Sequence, residues 1–137
     1  KTSFDTFTGT TGGVRTATAD VNNDGVADYI VGTGPGTVAR FRVYNGVTLA
    51  LIAEVVPFGD FTGGVYVAAG DFNNDGFAEV VATPDQGGGP VVAVYRGVDL
   101  AGGKAVELVR YFGIQDDAFR GGARAAVGDV NGDSVPD

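Results

Sequence analysis

The sequence predicts an all-β protein made of β-propeller blades, each with four antiparallel strands, with about two and a half blades in the chain and no helix. Glycine supplies 24 of the 137 residues, more than twice the ~7% of average usage, which disfavours long helices. Short apolar runs alternate with turn residues, and no apolar 3.6-residue period persists for three turns. A four-strand unit that recurs about every 50 residues is typical of propeller blades.

Three segments rich in Asp and Asn anchor this repeat, and they begin 51 and 58 residues apart. They read DVNNDGVAD (20–28), DFNNDGFAE (71–79) and DVNGDSVPD (129–137). A Gly-Gly pair and a run of small residues precede each segment, as expected where strands crowd around a central axis. Because a nine-residue segment recurs in register, we favour a repeat array over a sandwich or barrel of short strands with coincidental similarity.

A second marker, Phe followed by Gly or Thr, lies upstream of each segment and indicates the repeat boundaries. It reads Phe7-Thr8, Phe58-Gly59 and Phe112-Gly113. We assign residues 1–7 to the last strand of a preceding blade, 8–58 to repeat 1, 59–112 to repeat 2 and 113–137 to the start of repeat 3. We expect the rest of the array, beginning with a short apolar run, to come from a longer chain or from other copies.

Each repeat holds four predicted strands: the small-residue run before the Asp- and Asn-rich segment and three apolar runs after it. The later runs are 29–32, 38–44 and 49–56 in repeat 1, and 80–82, 91–95 and 105–111 in repeat 2. Asn45-Gly46 separates the last two runs of repeat 1. This dipeptide favours a type I′ hairpin turn because both residues tolerate positive φ.

Each segment has Asp, Asn and Asp at positions one, three and five, and Asp or Glu at position nine. Such a loop can point its oxygens at one centre, and Ca²⁺ takes about six to eight oxygen ligands. Position seven would add a backbone carbonyl, and Gly25 and Gly76 at position six suit a turn with positive φ. We therefore predict up to three Ca²⁺ ions, with the ligands Asp20, Asn22, Asp24, Val26, Asp28; Asp71, Asn73, Asp75, Phe77, Glu79; and Asp129, Asn131, Asp133, Val135, Asp137.

An EF-hand, a Mg²⁺ site and a turn without a metal fit these segments less well. An EF-hand needs a Glu at position 12 and a helix on each side, whereas position 12 is Val31 or Ala82 within a predicted strand. Mg²⁺ demands octahedral geometry at shorter distances and retains its waters. An Asp- and Asn-rich turn that binds no ion is disfavoured by three copies in register.

At these residues the sequence resembles the FG-GAP or VCBS-like repeats of integrin α-subunit propellers and of many bacterial surface and secreted proteins. The letters FG match Phe58-Gly59 and Phe112-Gly113, and GAP is represented by Gly34-Pro35 and Ala82-Thr83-Pro84. The resemblance implies Ca²⁺ bound between the first two strands of a blade through a DxDxDGxxD loop. Ser134 replaces the glycine of the third loop and weakens that site, because a non-glycine residue at positive φ costs about 1 kcal/mol.

The composition excludes several classes of function. Without Cys or His the chain has no disulfide, thiolate, imidazole base or Zn–S site. A net charge of −8 disfavours binding to nucleic-acid phosphates or anionic lipid, and no apolar run approaches the ~18 residues of a membrane span. Nine of the 17 acidic residues lie in the three segments, so the acidity belongs mainly to the predicted metal sites.

We expect an extracellular or cell-surface module that binds Ca²⁺ and serves adhesion or ligand binding, and not an enzyme. One alternative is a structural subunit whose blades assemble head to tail into a filament or surface layer. Another is the non-catalytic scaffold of a secreted propeller enzyme of lyase or phospholipase type. The predicted partners are the remaining blades or other copies, with a protein or glycan ligand, no nucleic acid and no membrane insertion. We interpret stretches 32–36 and 87–90 as turns, and Asp116-Asp117 as a solvated loop.

Overall fold

The computed structural model describes residues 3–137, which form two four-stranded antiparallel sheets and one short helix. Sheet 1 contains β1 (Val14–Ala19), β2 (Asp28–Thr33), β3 (Phe41–Tyr44) and β4 (Leu51–Val55). Sheet 2 contains β5 (Val65–Gly70), β6 (Glu79–Pro84), β7 (Val91–Tyr95) and β8 (Glu107–Phe112), with helix α1 (Gly97–Ala101) between β7 and β8. The strands of each sheet follow chain order. The predicted all-β architecture of blade-like sheets is confirmed, and residues 3–137 do not close a ring.

The strands form where their residues can be buried by neighbouring strands and by the other sheet. β1 alternates exposed and half-buried positions, the period of a strand with one covered face. β6 is buried at every position, and β2 at every position except Tyr29. A strand covered on both faces favours a continuous apolar run, and the middle of each second strand has one, Ile30-Val31 in β2 and Val80-Val81-Ala82 in β6.

The core lies between the two sheets. Ile30, Phe41 and Val43 of sheet 1 face Val80 and Tyr95 of sheet 2 in one buried cluster. The rings of Phe41 and Tyr95 meet edge to face with centroids 5.5 Å apart. Such aromatic pairs add about 0.5–1.5 kcal/mol beyond the area that they bury. Sheet 2 therefore completes the core of sheet 1.

The backbones of the two sheets approach closely at Gly32. A Cβ atom at this position would lie 2.5 Å from the carbonyl oxygen of Val65, the first residue of β5. No side chain fits that space, so Gly32 is required here by the distance between the sheets. The predicted turn at 32–36 thus also contains a packing residue.

The sequence predicts no helix, which is wrong at α1. Leu100 is fully buried and belongs to the core cluster between the sheets. A helix of five residues is too short to be stable alone, so tertiary burial stabilises it. No local pattern of the sequence signals this contact.

The predicted type I′ turn at Asn45-Gly46 is also wrong. Neither residue has positive φ, whereas Leu49 has a φ of 60°. The Asn45 side-chain oxygen accepts hydrogen bonds from the N–H groups of Val47 (3.0 Å) and Thr48 (2.7 Å). Asn45 therefore closes a longer connection through its side chain.

Residues 3–7 are irregular, and Lys1 and Thr2 lie outside the described residues, so the predicted strand at 1–7 falls partly on them. Phe4 packs edge to face on Tyr44 and Tyr29, with ring centroids 5.1 and 6.3 Å apart. This segment covers part of the face of sheet 1 that points away from sheet 2.

We expect Phe41→Ala to lower the free energy of unfolding by about 3–5 kcal/mol, because it removes the largest fully buried side chain and leaves a cavity between the sheets. Urea denaturation followed by circular dichroism measures this loss. Val47→Ala is the control, since Val47 is 65% exposed and its truncation should change stability by less than about 0.5 kcal/mol. A loss below about 1 kcal/mol for Phe41→Ala would contradict the proposed packing.

Candidate metal centre

The three Asp- and Asn-rich segments are loops at the same end of their repeats. Loop 1 (20–28) joins β1 to β2, and loop 2 (71–79) joins β5 to β6. Loop 3 (129–137) occupies the corresponding place in repeat 3. Loops 1 and 2 touch directly, since the N–H of Ala78 donates to the carbonyl oxygen of Asp20 at 2.8 Å. The candidate sites of loops 1 and 2 are therefore adjacent.

In loop 1 the side chains at positions one, three and five bind the backbone of the loop itself. The two carboxylate oxygens of Asp20 accept from the N–H groups of Asp24 (3.1 Å) and Gly25 (2.8 Å). The Asn22 amide oxygen also accepts from the N–H of Asp24, at 3.0 Å. The Asp24 carboxylate accepts from the N–H of Val26 at 2.9 Å. These bonds turn three polar side chains towards one another.

The same bonds recur in the other two loops. In loop 2, Asp71 accepts from the N–H groups at positions five and six, Asn73 from position five and Asp75 from position seven. In loop 3, Asp129, Asn131 and Asp133 make the equivalent bonds, at distances within 0.1 Å of those in loop 1 for all four. The sequence repeat is therefore a repeat of side-chain geometry.

Two residues of each loop have a left-handed backbone. Position six has φ of 82° at Gly25, 88° at Gly76 and 72° at Ser134. Position four is also left-handed, at Asn23, Asn74 and Gly132. The positive φ predicted at position six is confirmed in all three loops. Only Ser134 carries a Cβ there, a strain of about 1–2 kcal/mol.

Position nine plays a different part in the structure. Asp28 and Glu79 are fully buried. One oxygen of Asp28 accepts from the N–H groups of Val21 (3.0 Å) and Asn22 (3.2 Å), and the other accepts from that of Gly46 (2.9 Å). This carboxylate therefore joins loop 1 to the connection between β3 and β4.

Glu79 makes the corresponding links in repeat 2. It accepts from the N–H of Phe72 at 3.0 Å and from that of Gly97, the first residue of α1, at 3.3 Å. Burial raises the pKa of Glu79, because the carboxylate loses its hydration. The charges of Asp75 and Asp71 raise this pKa further, while the two N–H donors lower it.

Two exposed carboxylates of the loops, Asp24 and Asp129, have lowered pKa values. For Asp24 the main cause is the hydrogen bond from the N–H of Val26, with the amides of Asn22 and Asn45 adding to it. For Asp129 the main causes are the N–H groups of Ser134 and Gly132. These two carboxylates are ionised at neutral pH and contribute negative charge to loops 1 and 3.

Loop 3 has less tertiary support than loops 1 and 2. Asp137 is exposed, and its carboxylate accepts from the N–H of Val130 at 3.0 Å. Pro136 stands at the position of Ala78 and lacks the N–H that Ala78 donates to loop 1. Loop 3 thus has the geometry of the repeat without the burial of its last carboxylate.

The donor set of each loop suits a hard cation, since it contains carboxylate, amide and carbonyl oxygens and no nitrogen or sulfur ligand. Among residues 3–137, no three acidic side chains are grouped closely enough to hold a metal ion. An ion in these loops would therefore depend on the Asn side chain and on backbone carbonyls as well as on the carboxylates. The fit rests on donor chemistry and on the repeated loop geometry.

Two clefts at the opposite end of the sheets were not predicted. The larger, of about 610 Å³, lies between the Phe58-Gly59 turn and the turn at 87–90, and Arg110 and Arg120 line it. The smaller, of about 290 Å³, lies at the corresponding place in repeat 1, beside Phe7, Arg40 and Arg42. The clefts arise where the connections before β1 and β5 meet those after β2 and β6. Only tertiary structure brings these connections together.

Comparison with known protein families identifies the repeat. Residues 20–82, from loop 1 into β6, match the family model described as FG-GAP-like repeat. Residues 20–82 are therefore similar to an FG-GAP-like repeat. This finding confirms the resemblance carried by the Phe-Gly markers and the Asp- and Asn-rich loops. Searches of curated proteins and of solved structures found no match. Within the described residues, no helix has the length and apolar character needed to span a bilayer.

Asp28→Ala should lower the free energy of unfolding by about 3 kcal/mol or more, because it removes the acceptor of three N–H groups and each buried, unsatisfied donor costs about 1–3 kcal/mol. Chemical denaturation in EDTA measures this loss without any contribution from a metal. Asp60→Ala is the matched control, because Asp60 is exposed and its loss should cost less than about 0.5 kcal/mol. Equal effects of the two substitutions would contradict the anchoring role of Asp28.

Glu79→Gln should change the pH dependence of stability in EDTA. Because the pKa of Glu79 is raised in the folded state, the folded protein holds a proton that the unfolded chain releases above its ordinary pKa of about 4.3. Folding stability therefore falls as the pH rises through this window, and Gln does not titrate. We expect the stability of the variant relative to the parent to increase from pH 4 to pH 7 (about 2.303RT per pH unit at most). A difference that is flat or decreasing with pH would contradict the assignment.

Proposed function

We propose that this chain is a Ca²⁺-binding segment of an extracellular or cell-surface β-propeller, which serves as an adhesion, ligand-binding or scaffold module. The observation that carries the proposal is the recurrence of the same hydrogen-bonded arrangement of Asp, Asn and Asp oxygens in three loops. The pKa values of Asp24 in loop 1 and Asp129 in loop 3 are lowered, which favours their ionised forms. A turn that served only the backbone would not need three acidic residues in every copy.

In each loop the side chains at positions one, three and five would hold the ion, together with the carbonyl at position seven and the carboxylate at position nine. Bound Ca²⁺ supplies positive charge that offsets the repulsion among the carboxylates. This repulsion acts on Glu79, since the negative charges of Asp75 and Asp71 contribute to its raised pKa. Loops 1 and 2 are the stronger candidates, since tertiary contacts support them and glycine relieves strain at position six.

The effect of the ion on stability can be large. A site with a Kd near 10 μM in about 1 mM extracellular Ca²⁺ would stabilise the fold by about 2.7 kcal/mol. Domain stabilities are typically about 5–15 kcal/mol. Ca²⁺ would therefore act as a structural component, and the fold would be stable where extracellular Ca²⁺ is abundant.

The ligand-binding role would use the end of the sheets opposite the loops. The cleft of about 610 Å³ there combines the aromatic rings of Phe58, Phe61 and Phe112 with Arg110 and Arg120, a chemistry suited to a protein or glycan ligand. The chain lacks His and Cys, and we assign it no catalytic role. The alternatives, a filament subunit or the scaffold part of a secreted lyase or phospholipase, would use the same loops.

Isothermal titration of the EDTA-treated full chain with Ca²⁺ tests the proposal. We expect saturable binding and a melting temperature that rises by several degrees, since a chain of 137 residues lies between the size classes that gain about 2–4 and about 4–8 °C per kcal/mol. Asp20→Asn and Asp71→Asn should each remove one site, whereas Asp60→Asn, which changes an exposed carboxylate outside the loops, should remove none. No heat of binding and an unchanged melting temperature would refute the proposal, and stronger binding of Mg²⁺ would refute Ca²⁺ as the ion.

A further inference from the structure

The larger cleft, of about 610 Å³, lies between two sheets that each have all four strands. Its lining belongs to residues 57–120. On β8, Arg110 and Phe112 pair with Ala93 and Val91 of β7, and Ala93 belongs to the core that faces sheet 1. Arg110 and Phe112 therefore lie on the side of sheet 2 that faces sheet 1, and the cleft continues the space between the sheets.

Backbone hydrogen bonds hold the walls of this cleft in place. The N–H of Gly87 donates to the carbonyl of Arg120 at 2.9 Å, and that of Gly113 donates to the carbonyl of Pro90 at 2.8 Å. These bonds tie the connection after β8 to the turn between β6 and β7. A ligand would therefore meet a preformed site, which keeps the cost of ordering the protein low.

The same walls offer a ligand few main-chain donors. Among the lining residues, Pro57, Pro84 and Pro90 have no N–H, and the N–H groups of Gly87 and Gly88 are already bonded within the protein. An extended peptide that binds by main-chain pairing would find few partners on this surface. Recognition in the cleft therefore depends on side chains.

Arg110 is held rigidly in the wall of the cleft. Its Nε and one terminal nitrogen donate to the carboxylate of Glu107, at 2.9 and 2.5 Å. The same terminal nitrogen donates to the carbonyl of Pro57 at 3.0 Å, and the guanidinium carbon lies 5.7 Å from the centre of the Phe58 ring. Glu107 offsets the charge of Arg110, so this side chain serves mainly to shape the cleft.

Arg120 brings a positive charge to the cleft that no carboxylate of residues 3–137 offsets by an ion pair. One of its terminal nitrogens donates to the carbonyls of Asp117 (2.7 Å) and Phe119 (2.8 Å). A guanidinium has five N–H donors, so these two bonds orient the side chain and leave three donors for a ligand. An anionic group is the acceptor that suits such donors best, because charge-assisted hydrogen bonds are the strong ones.

Asp117 and Phe112 add an acceptor and an apolar surface. The carboxylate of Asp117 lines the cleft and accepts no hydrogen bond from the part of the chain that the structure describes. Phe112 is 51% exposed, and its ring offers a flat surface. Phe112 stands 17 residues before loop 3, whereas the equivalent Phe7 and Phe58 stand 13 residues before loops 1 and 2. The longer connection of repeat 3 therefore brings Asp117 and Arg120 to the cleft.

We propose that this cleft binds an acidic sugar, that is, a ring of a glycan that carries a carboxylate or a sulfate. The anionic group would accept from Arg120, a hydroxyl group would donate to Asp117, and the apolar face of the ring would pack on Phe112. A simple anion lacks the hydroxyl and the ring, and a neutral sugar leaves the charge of Arg120 without a partner. This inference rests on the ligand-binding role proposed above and specifies its ligand. The site shares no residue with the three loops.

The probes are tetrasaccharides of galacturonic acid, of mannuronic acid and of sulfated galactose, each compared with the uncharged tetrasaccharide of galactose or mannose. Each is titrated to about 10 mM into the ¹⁵N-labelled full chain in EDTA, a range that covers a Kd of about 1 mM. EDTA prevents Ca²⁺ from bridging the sugar and the loops. We expect saturable shifts of the amides of Gly87, Phe112 and Arg120 with at least one acidic probe, and binding at least tenfold weaker for its uncharged counterpart. The acid that binds distinguishes a carboxylate from a sulfate.

Two arginine variants test the source of the charge. Arg120→Gln should weaken the binding of the acidic probe at least tenfold, because it removes a charge-assisted contact. Arg96→Gln makes the same change of charge at a side chain that is 45% exposed and does not line the cleft, and it should leave binding unchanged. A dispersed amide spectrum confirms the fold of each variant.

Asp117→Ala separates a sugar site from a simple anion site by the sign of its effect. At an acidic sugar site it removes the acceptor of a hydroxyl group, and we expect binding at least about threefold weaker in 0.15 M salt, which screens the repulsion between charges. At a simple anion site the same substitution would strengthen binding, because it removes a negative charge.

Several results would overturn the proposal. They are the absence of binding by all acidic probes, equal binding of the uncharged probes, no effect of Arg120→Gln, tighter binding after Asp117→Ala, and equal binding of a glutamate tetrapeptide, which would assign the cleft to acidic peptides. Equal binding of the uncharged probes would leave the ligand-binding role standing and refute only the acidic ligand. Ca²⁺ binding is measured separately by isothermal titration, so its failure would not alter these outcomes. Titrations repeated in Ca²⁺ give the same comparisons if the chain needs the ion to fold.

Discussion

The buried carboxylate at position nine is the interaction on which the end of each sheet depends. Asp28 accepts three N–H bonds from two separate parts of the chain, so it fixes the start of β2, the path of loop 1 and the connection after β3 together. Gly46 must approach so closely that a Cβ there would lie 2.0 Å from the carbonyl of Ala27. Loop 3 makes only the local part of this contact, through Val130, and Asp137 is accordingly exposed.

Burying this carboxylate beside two other acidic residues has an electrostatic consequence. Backbone N–H groups offset part of the cost of dehydration, but the raised pKa of Glu79 shows that the offset is incomplete. Asp28 has three such donors at 3.2 Å or less, whereas Glu79 has one at 3.0 Å and a longer one at 3.3 Å. The longer Glu side chain at position nine therefore has weaker support. A cation near loop 2 would stabilise the ionised Glu79 carboxylate, which its two N–H donors stabilise only in part.

The sequence predicts what depends on neighbouring residues and misses what depends on distant ones. The loops, the eight strands of repeats 1 and 2 and the positive φ at Ser134 follow from local spacing, and the structure confirms them. The strands predicted at 1–7 and in the small-residue run before loop 3 are not confirmed, because residues 3–7 and 123–128 have no strand assignment. The function of Asn45-Gly46 does not follow from local spacing. This dipeptide favours a tight turn, but here the Asn45 amide donates to the carboxylate of Asp24 and the Gly46 N–H donates to that of Asp28. Helix α1 likewise depends on the burial of Leu100 between the sheets. The burial of Asp28 could have been inferred only from the contact with Gly46, 18 residues away in sequence.

The two outer faces of the pair of sheets differ in chemistry: the outer face of sheet 1 carries charged groups, and that of sheet 2 is aliphatic. On sheet 1 the face away from sheet 2 carries Arg42, which bonds Glu54 at 2.5 Å and stacks on Phe7, while Phe4 covers Tyr44. On sheet 2 the corresponding outward face is aliphatic and partly open. A surface that is charged at one end and apolar at the other is not self-complementary, so contacts between equal faces are disfavoured at the charged end. The large apolar residues lie on the same side of both sheets: in sheet 1 they face sheet 2, and in sheet 2 they face outward.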